Sequence, residues 1–290
     1  MKKRSAGVLI LFVLTALIFL RAEGAGAQPP RLKAFLLASQ AQAQILHGII
    51  GLYGNAVLHL KNAEQEFESC MTSFDRLARE LKPLLNPDSP GNENLSKYYD
   101  MLLIRKRTVM KDGKRLLEKE AGRKKLGRAD IEPLEKAAFR TVYAARQLMR
   151  HLVRNMETGE TGRKDRERMA EALLLSEMEG HLLNSIKDSF ADNINCNSSP
   201  ADTFWLDLAS FDILATVYSS GVFSSDSGTA EKTGALKSLV SLKHDVLMEG
   251  EALYLVAKTC RPDLEAAKVV ADAAGRLLPI FETLIREALK

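Results

Sequence analysis

A chain of 290 residues with one Trp, six Tyr and three Cys has little from which to build a sheet, an aromatic platform or a cysteine-based metal centre. Residues suited to strands never run in clean alternation. No His-Glu-x-x-His, Cys-x-x-Cys-His or duplicated Glu-x-x-His pattern marks zinc, haem or di-iron chemistry. A phosphate-cradling glycine loop and a Gly-x-Ser-x-Gly elbow are also missing. No cofactor, metal site or catalytic constellation is therefore expected. What remains is Leu, Ala, Glu, Lys and Arg in long periodic segments, which makes helix the default expectation.

The N-terminus carries Lys2, Lys3 and Arg4, an apolar run from Val8 to Leu20, and Ala25-Gly26-Ala27 before Gln28. That order spells a secretory signal peptide over residues 1–27, cleaved after Ala27. The run falls short of the roughly twenty apolar residues that span a bilayer, although an uncleaved anchor is the alternative. The protein is thus expected to be exported, to a bacterial periplasm. Cleavage removes Lys2, Lys3, Arg4 and Arg21 with Glu23, taking basic residues from 41 to 37 and acidic ones from 37 to 36, so the net charge falls from +4 to +1. Without a strong global charge or stacking aromatics, nucleic acid is not an expected partner.

Beyond the leader, alternate steps of four and three from Leu32 land on Leu36, Ser39, Ala43, Leu46, Ile50, Tyr53, Val57, Leu60, Glu64, Phe67, Met71, Phe74, Ala78, Leu81 and Leu85. Only Ser39 and Glu64 interrupt this heptad stripe, which predicts one long helix packed lengthwise. At 1.5 Å per residue it would reach roughly 80 Å. Gly48, Gly51 and Gly54 together cost about 2 to 3 kcal/mol in an exposed helix. Continuity is expected because the heptad phase survives them, with a second helix approaching closely on the glycine face. No charged residue occurs from Ala34 to Leu60. A helix enclosed by several neighbours explains this better than a membrane span, which would have to place Gln40, Gln42 and Gln44 in lipid.

Turn formers from Asn86 to Asn92 end that segment. Further helices are predicted at about Leu95–Ala121, Asp130–Met156, Lys164–Phe190, Phe204–Tyr218, Glu231–Cys260 and Pro262–Leu289. Short connections place neighbours antiparallel. The expected fold is all-α, an elongated antiparallel bundle of about seven helices, with residues 28–190 as a long-helix bundle and residues 191–290 as a C-terminal helical subdomain packed on it.

Few residues suggest chemistry. In an oxidising compartment Cys196 and Cys260, in a loop and at a helix end, are the candidate disulfide, whereas Cys70 sits inside a helix. No Cys-His frame for a catalytic thiol is legible. Glu177 with His181, and His244 with Met248, share helix faces but form no specific ligand set. Gln44, His47, Asn55 and His59, with Gln40, could line a gap between helices. A basic bias runs from Arg105 to Arg128, and Arg105, Arg107, Arg115, Arg123, Lys124 and Lys125 are candidate contacts for an anionic partner, including lipid headgroups. The function these features suggest is an exported, non-enzymatic helical interaction or scaffold protein of the cell envelope, bound to another envelope protein or to itself through helix faces. The alternative is a periplasmic small-ligand-binding or sensory bundle with a concave gap at the glycines.

Overall fold

In the computed structural model, residues 30–59, 62–85, 93–122, 126–154, 160–196, 203–220 and 230–290 are described. The expected signal peptide and the basic turn Arg123 to Lys125 lie outside them. Eight α-helices and no strand occur among the described residues: α1 (Pro30–Leu58), α2 (Ala63–Leu81), α3 (Glu93–Ala121), α4 (Arg128–Arg154), α5 (Glu160–Asn195), α6 (Thr203–Ser219), α7 (Ala230–Val256) and α8 (Leu264–Ala288). The chain is the all-α bundle that its composition and periodicity predict.

The first helix departs from expectation. It passes unbroken through Gly48, Gly51 and Gly54, but it ends at Leu58 rather than Leu85. His59 follows with φ of 53°, in the left-handed region, while its N–H still donates to Asn55 O at 2.6 Å. The chain then folds back as α2, so the roughly 80 Å helix becomes a hairpin whose first arm is about 44 Å long. The heptad stripe misled because both arms face one core: Phe67, Met71, Phe74, Ala78 and Leu81 of α2 are as buried as Leu46, Ile50 and Tyr53 of α1. A stripe that keeps its phase across a reversal looks like one helix. No Gly or Pro marks the turn between Leu58 and Ala63.

The glycines explain the close approach of α2. A Cβ on Gly48 would stand 2.9 Å from Met71 Cε and 3.2 Å from Cys70 Cβ, and one on Gly113 of α3 would stand 2.5 Å from the Phe67 ring. Hydrogen there lets the helix surfaces meet, and the dispersion contacts offset the intrinsic helix cost. α1 is long and apolar enough to cross a membrane, yet 78 % of its most apolar window is buried within the chain. Around it stand α2, α3 through Leu52 and Gly113, α4 through Tyr53, and α5 through Ser39 and Gly54.

α5 is the second central helix. The stripe Ala172, Leu175, Met178, Leu182, Ile186 and Phe190 is buried, and α4, α6, α7 and α8 all pack against this helix. Phe204 of α6 lies over Gly250 of α7, where a Cβ would stand 2.7 Å from the ring. Asp263 caps α8 by accepting from Glu265 N at 3.0 Å and Ala266 N at 3.1 Å, which satisfies two free donors of its first turn. Arg31 to Lys290 form one compact unit.

Candidate functional site

Buried polar side chains concentrate on α5. Glu171, Ser176, Glu179, Ser185, Lys187, Asp188, Ser189 and Asn193 are all buried on this one helix. An isolated charge in such a place would be costly, so each charge needs a partner. Lys187 reaches Glu135 of α4 at 2.9 Å and also pairs with Asp188. Burial disfavours its ammonium, but the Asp188 and Glu135 carboxylates outweigh that and raise its pKa, so Lys187 stays charged. One turn on, burial and then the Asp188 and Glu135 charges push Asp192 up to about 7. Farther back, Glu171 receives Lys232 of α7 at 2.8 Å and the Tyr218 hydroxyl of α6 at 3.1 Å. Burial and then the charge of Glu282 raise Glu179 well above the carboxylate range. These groups lock the registers of α4, α6 and α7 onto α5. The sequence signal was present as a Lys-Asp doublet directly after Ile186 of the apolar stripe, but Glu135, which completes the cluster, comes from another helix.

His47 and Cys70 are the pair that sequence reading missed. The α1–α2 hairpin sets Cys70 Sγ 3.7 Å from His47 Nδ1. A nucleophilic thiol needs a lowered pKa and a base beside it that accepts its proton. Burial does the opposite to both groups, lowering His47 to about 4 and, with the nearby charge of Glu66, raising Cys70 to about 12. The contact is thus a neutral packed pair.

The other candidate gap residues do not converge. Gln44, His47 and Asn55 follow one stripe of α1, but Asn55 Nδ2 donates to Glu120 of α3 at 2.5 Å, and exposed His59 lies past the helix end. Met71 and Cys70 cover Gly48, and Phe190 lies 3.7 Å from the Cβ position of Gly54. Of the suspected ligand pairs, Glu177 accepts from Arg150 at 2.6 Å while His181 Nδ1 meets Asp207 at 2.6 Å, so they are turned to different neighbours. Cys196 and Cys260 are joined as a disulfide with their Cα atoms 4.7 Å apart, tying the end of α5 to the turn after α7.

Two outer surfaces remain. On α3, Lys106, Lys114 and Lys119 pair with Asp75, Glu68 and Asp130. Arg107, Lys111 and Arg115 point outward at four-residue spacing and make no ion pair among the described residues, and Arg105 is half-buried. The second surface belongs to α6. This helix has no basic residue, and its two carboxylates, Asp207 and Asp212, are held by His181 and Lys243. It buries Phe204, Leu208 and Phe211, while Leu206 and Ile213 are 64 % and 65 % exposed. Sequence reading saw its inner stripe and overlooked the outer one.

No protein-family model, curated protein or solved structure is similar to the chain at a significant level.

Proposed function

We propose that this is an exported, non-enzymatic helical interaction protein of the cell envelope, and that α6 with the adjoining face of α7 is its contact surface for another envelope protein or a second copy. The observation that carries the reading is the outer stripe of α6. A helix apolar on every side is ordinarily enclosed on every side. Here Leu206, Ile213 and Val217, spaced seven and four apart, stand in water beside Trp205. Lys243 reaches Asp212 at 3.2 Å, and the Phe204 ring stacks on Tyr254, so α7 lies alongside and adds exposed Val240 and Leu255. Exposed apolar area of this kind marks contact surfaces. The leader-like residues 1–27 support export, and a disulfide between Cys196 and Cys260 suits an oxidising compartment.

Crosslinking in cells followed by pull-down, with wild type beside a Leu206→Glu/Ile213→Glu variant, tests this reading. A reproducible envelope partner or self-adduct should be captured by wild type and lost in the variant, with both chains equally folded. Capture that ignores the substitution, or a product confined to the cytosol, would overturn it.

A further inference from the structure

A different face, formed by α3 and α4, carries charge and exposed rings together. From Lys136 to Arg154 the sequence contains Lys136, Arg140, Arg146, Arg150 and Arg154 and no Asp or Glu. Arg150 turns inward to Glu177, and Arg146 lies beneath the surface, where burial lowers its pKa. Arg140 and Arg154 stay outward and make no ion pair among the described residues. On either side of Arg140 the helix presents Phe139, 74 % exposed, and Tyr143, 47 % exposed. Tyr98 stacks on His151 at 5.2 Å between ring centres, and Lys119 pairs with Asp130, so α3 and α4 run antiparallel in fixed register. That register sets Phe139 and Tyr143 level with Lys106 to Met110. At that level Arg107, Lys111 and Arg115 point outward from α3, along with Ile104, 56 % exposed. The exposed carboxylates of α3 on this side, Asp100 and Glu118, lie toward its two ends.

The interleaving identifies the partner. A protein-binding patch gathers its apolar anchors at the centre and leaves charge at the rim. Here Arg140 stands between the rings of Phe139 and Tyr143 along one helix, while Lys136, a turn before them, is paired with Glu132 at 2.6 Å. At the edge of a bilayer an aromatic ring sits at headgroup depth while the neighbouring cation meets a phosphate. We propose that the outer face of α3 and α4 docks flat on an anionic phospholipid surface, with Arg107, Lys111, Arg115 and Arg140 on headgroup phosphates and Phe139 and Tyr143 in the interfacial zone. The proposal rests on the envelope reading, which supplies a bilayer, and it uses a different face from α6.

Sedimentation of the full chain with vesicles rich in phosphatidylglycerol, and with vesicles of phosphatidylcholine alone, tests it. Binding should favour the anionic vesicles and weaken as salt rises. An Arg107→Gln/Lys111→Gln/Arg140→Gln variant should lose about a hundredfold in affinity for them, at about fivefold per charge. Phe139→Ser/Tyr143→Ser should weaken binding while leaving the salt dependence unchanged, and helical circular dichroism should be that of wild type in both. Equal binding to the two vesicle types, or a triple variant that binds as wild type does, refutes the proposal. So does binding to soluble polyglutamate without binding to vesicles, which assigns the face to an acidic protein. Partner capture through α6, measured on the same proteins, shows whether the envelope reading survives such a result.

Discussion

α1 and α5 are both enclosed by neighbouring helices, but they fill their surroundings with opposite chemistry. α1 brings Phe35, Ile45, Leu46, Ile49, Leu52 and Tyr53 into the core, and the polar residues it buries there, Ser39, Gln42 and Asn55, are neutral. Ser39 donates to Ser176 at 2.8 Å and Gln42 to Ser176 O at 3.3 Å. α5 brings Lys187, Asp188 and Glu171 inside as charges and depends on other helices to balance them, with Glu135 of α4 on Lys187 and Lys232 of α7 on Glu171. Apolar burial is non-directional, so α1 tolerates small shifts of its neighbours. A buried ion pair does not, because a shift that separates the charges leaves each desolvated and alone. The bundle thus takes its bulk stability from the surroundings of α1 and the register of α4, α6 and α7 from α5.

The largest effect expected from breaking this contrast is at Lys187. Lys187→Met should cost about 3 to 5 kcal/mol in urea unfolding, because it strands the Asp188 and Glu135 carboxylates. Adding Asp188→Asn should recover a substantial part of the loss, a coupling that a double-mutant cycle reads directly. On the α1 side Leu46→Ala should cost about 2 to 5 kcal/mol, and no single partner change should rescue it, since a cavity has no partner. Absence of rescue at Asp188 would place the two helices on the same footing.

Next in size is the disulfide. Cys196→Ser should cost about 2 to 4 kcal/mol under non-reducing conditions, and a reductant should then destabilise wild type but not the variant.

The pH dependence has opposite signs in the two helices. His47 is lowered from 6.5 to about 4, so the unfolded chain takes up a proton that the folded chain refuses. Stability from this group is complete above about 6.5 and is lost as pH falls toward 4. Asp192 is raised from 3.8 to about 7, so the folded chain keeps a proton that the unfolded chain has released. Its contribution falls as pH rises from about 3.8 to about 7. Thermal midpoints across pH 4 to 8, in the range of these two values, should show His47→Gln flattening the acid-side loss. Asp192→Asn should gain on wild type toward neutral pH.

The smallest expected change in stability is at α6. Leu206→Glu/Ile213→Glu should move it by no more than about 0.5 kcal/mol, because both side chains already stand in water. A large loss there would mean that the outer stripe of α6 is part of the fold after all.

Much of the architecture was legible from periodicity. The predicted helices from Leu95 onward match α3 to α8 to within a few residues at most ends, because each is bounded by Gly, Pro or a polar cluster and carries a stripe of buried Leu, Met and Ala. The reversal at His59 was not legible, since its turn has no distinctive residue and the heptad phase passes through it. Nor were the pairings of His47 with Cys70 or of Lys187 with Glu135. Those residues are 23 and 52 positions apart, and only packing brings them together. The outer faces of α4 and α6 were visible as residues but not as exposed ones, because an apolar position carries no mark of which side its neighbours occupy.

Composition and the spacing of apolar residues alone dictated that this protein is helical, where most helices run, and which faces seek a core, because those properties arise within a few turns of chain. Tertiary structure decided that the chain reverses after Leu58, that a Lys and several carboxylates go inside, and that Leu206, Ile213, Phe139 and Tyr143 stay out. Burial, pairing and exposure are set by what stands opposite a side chain. In a bundle that neighbour comes from another helix, at a distance along the chain that local sequence does not encode.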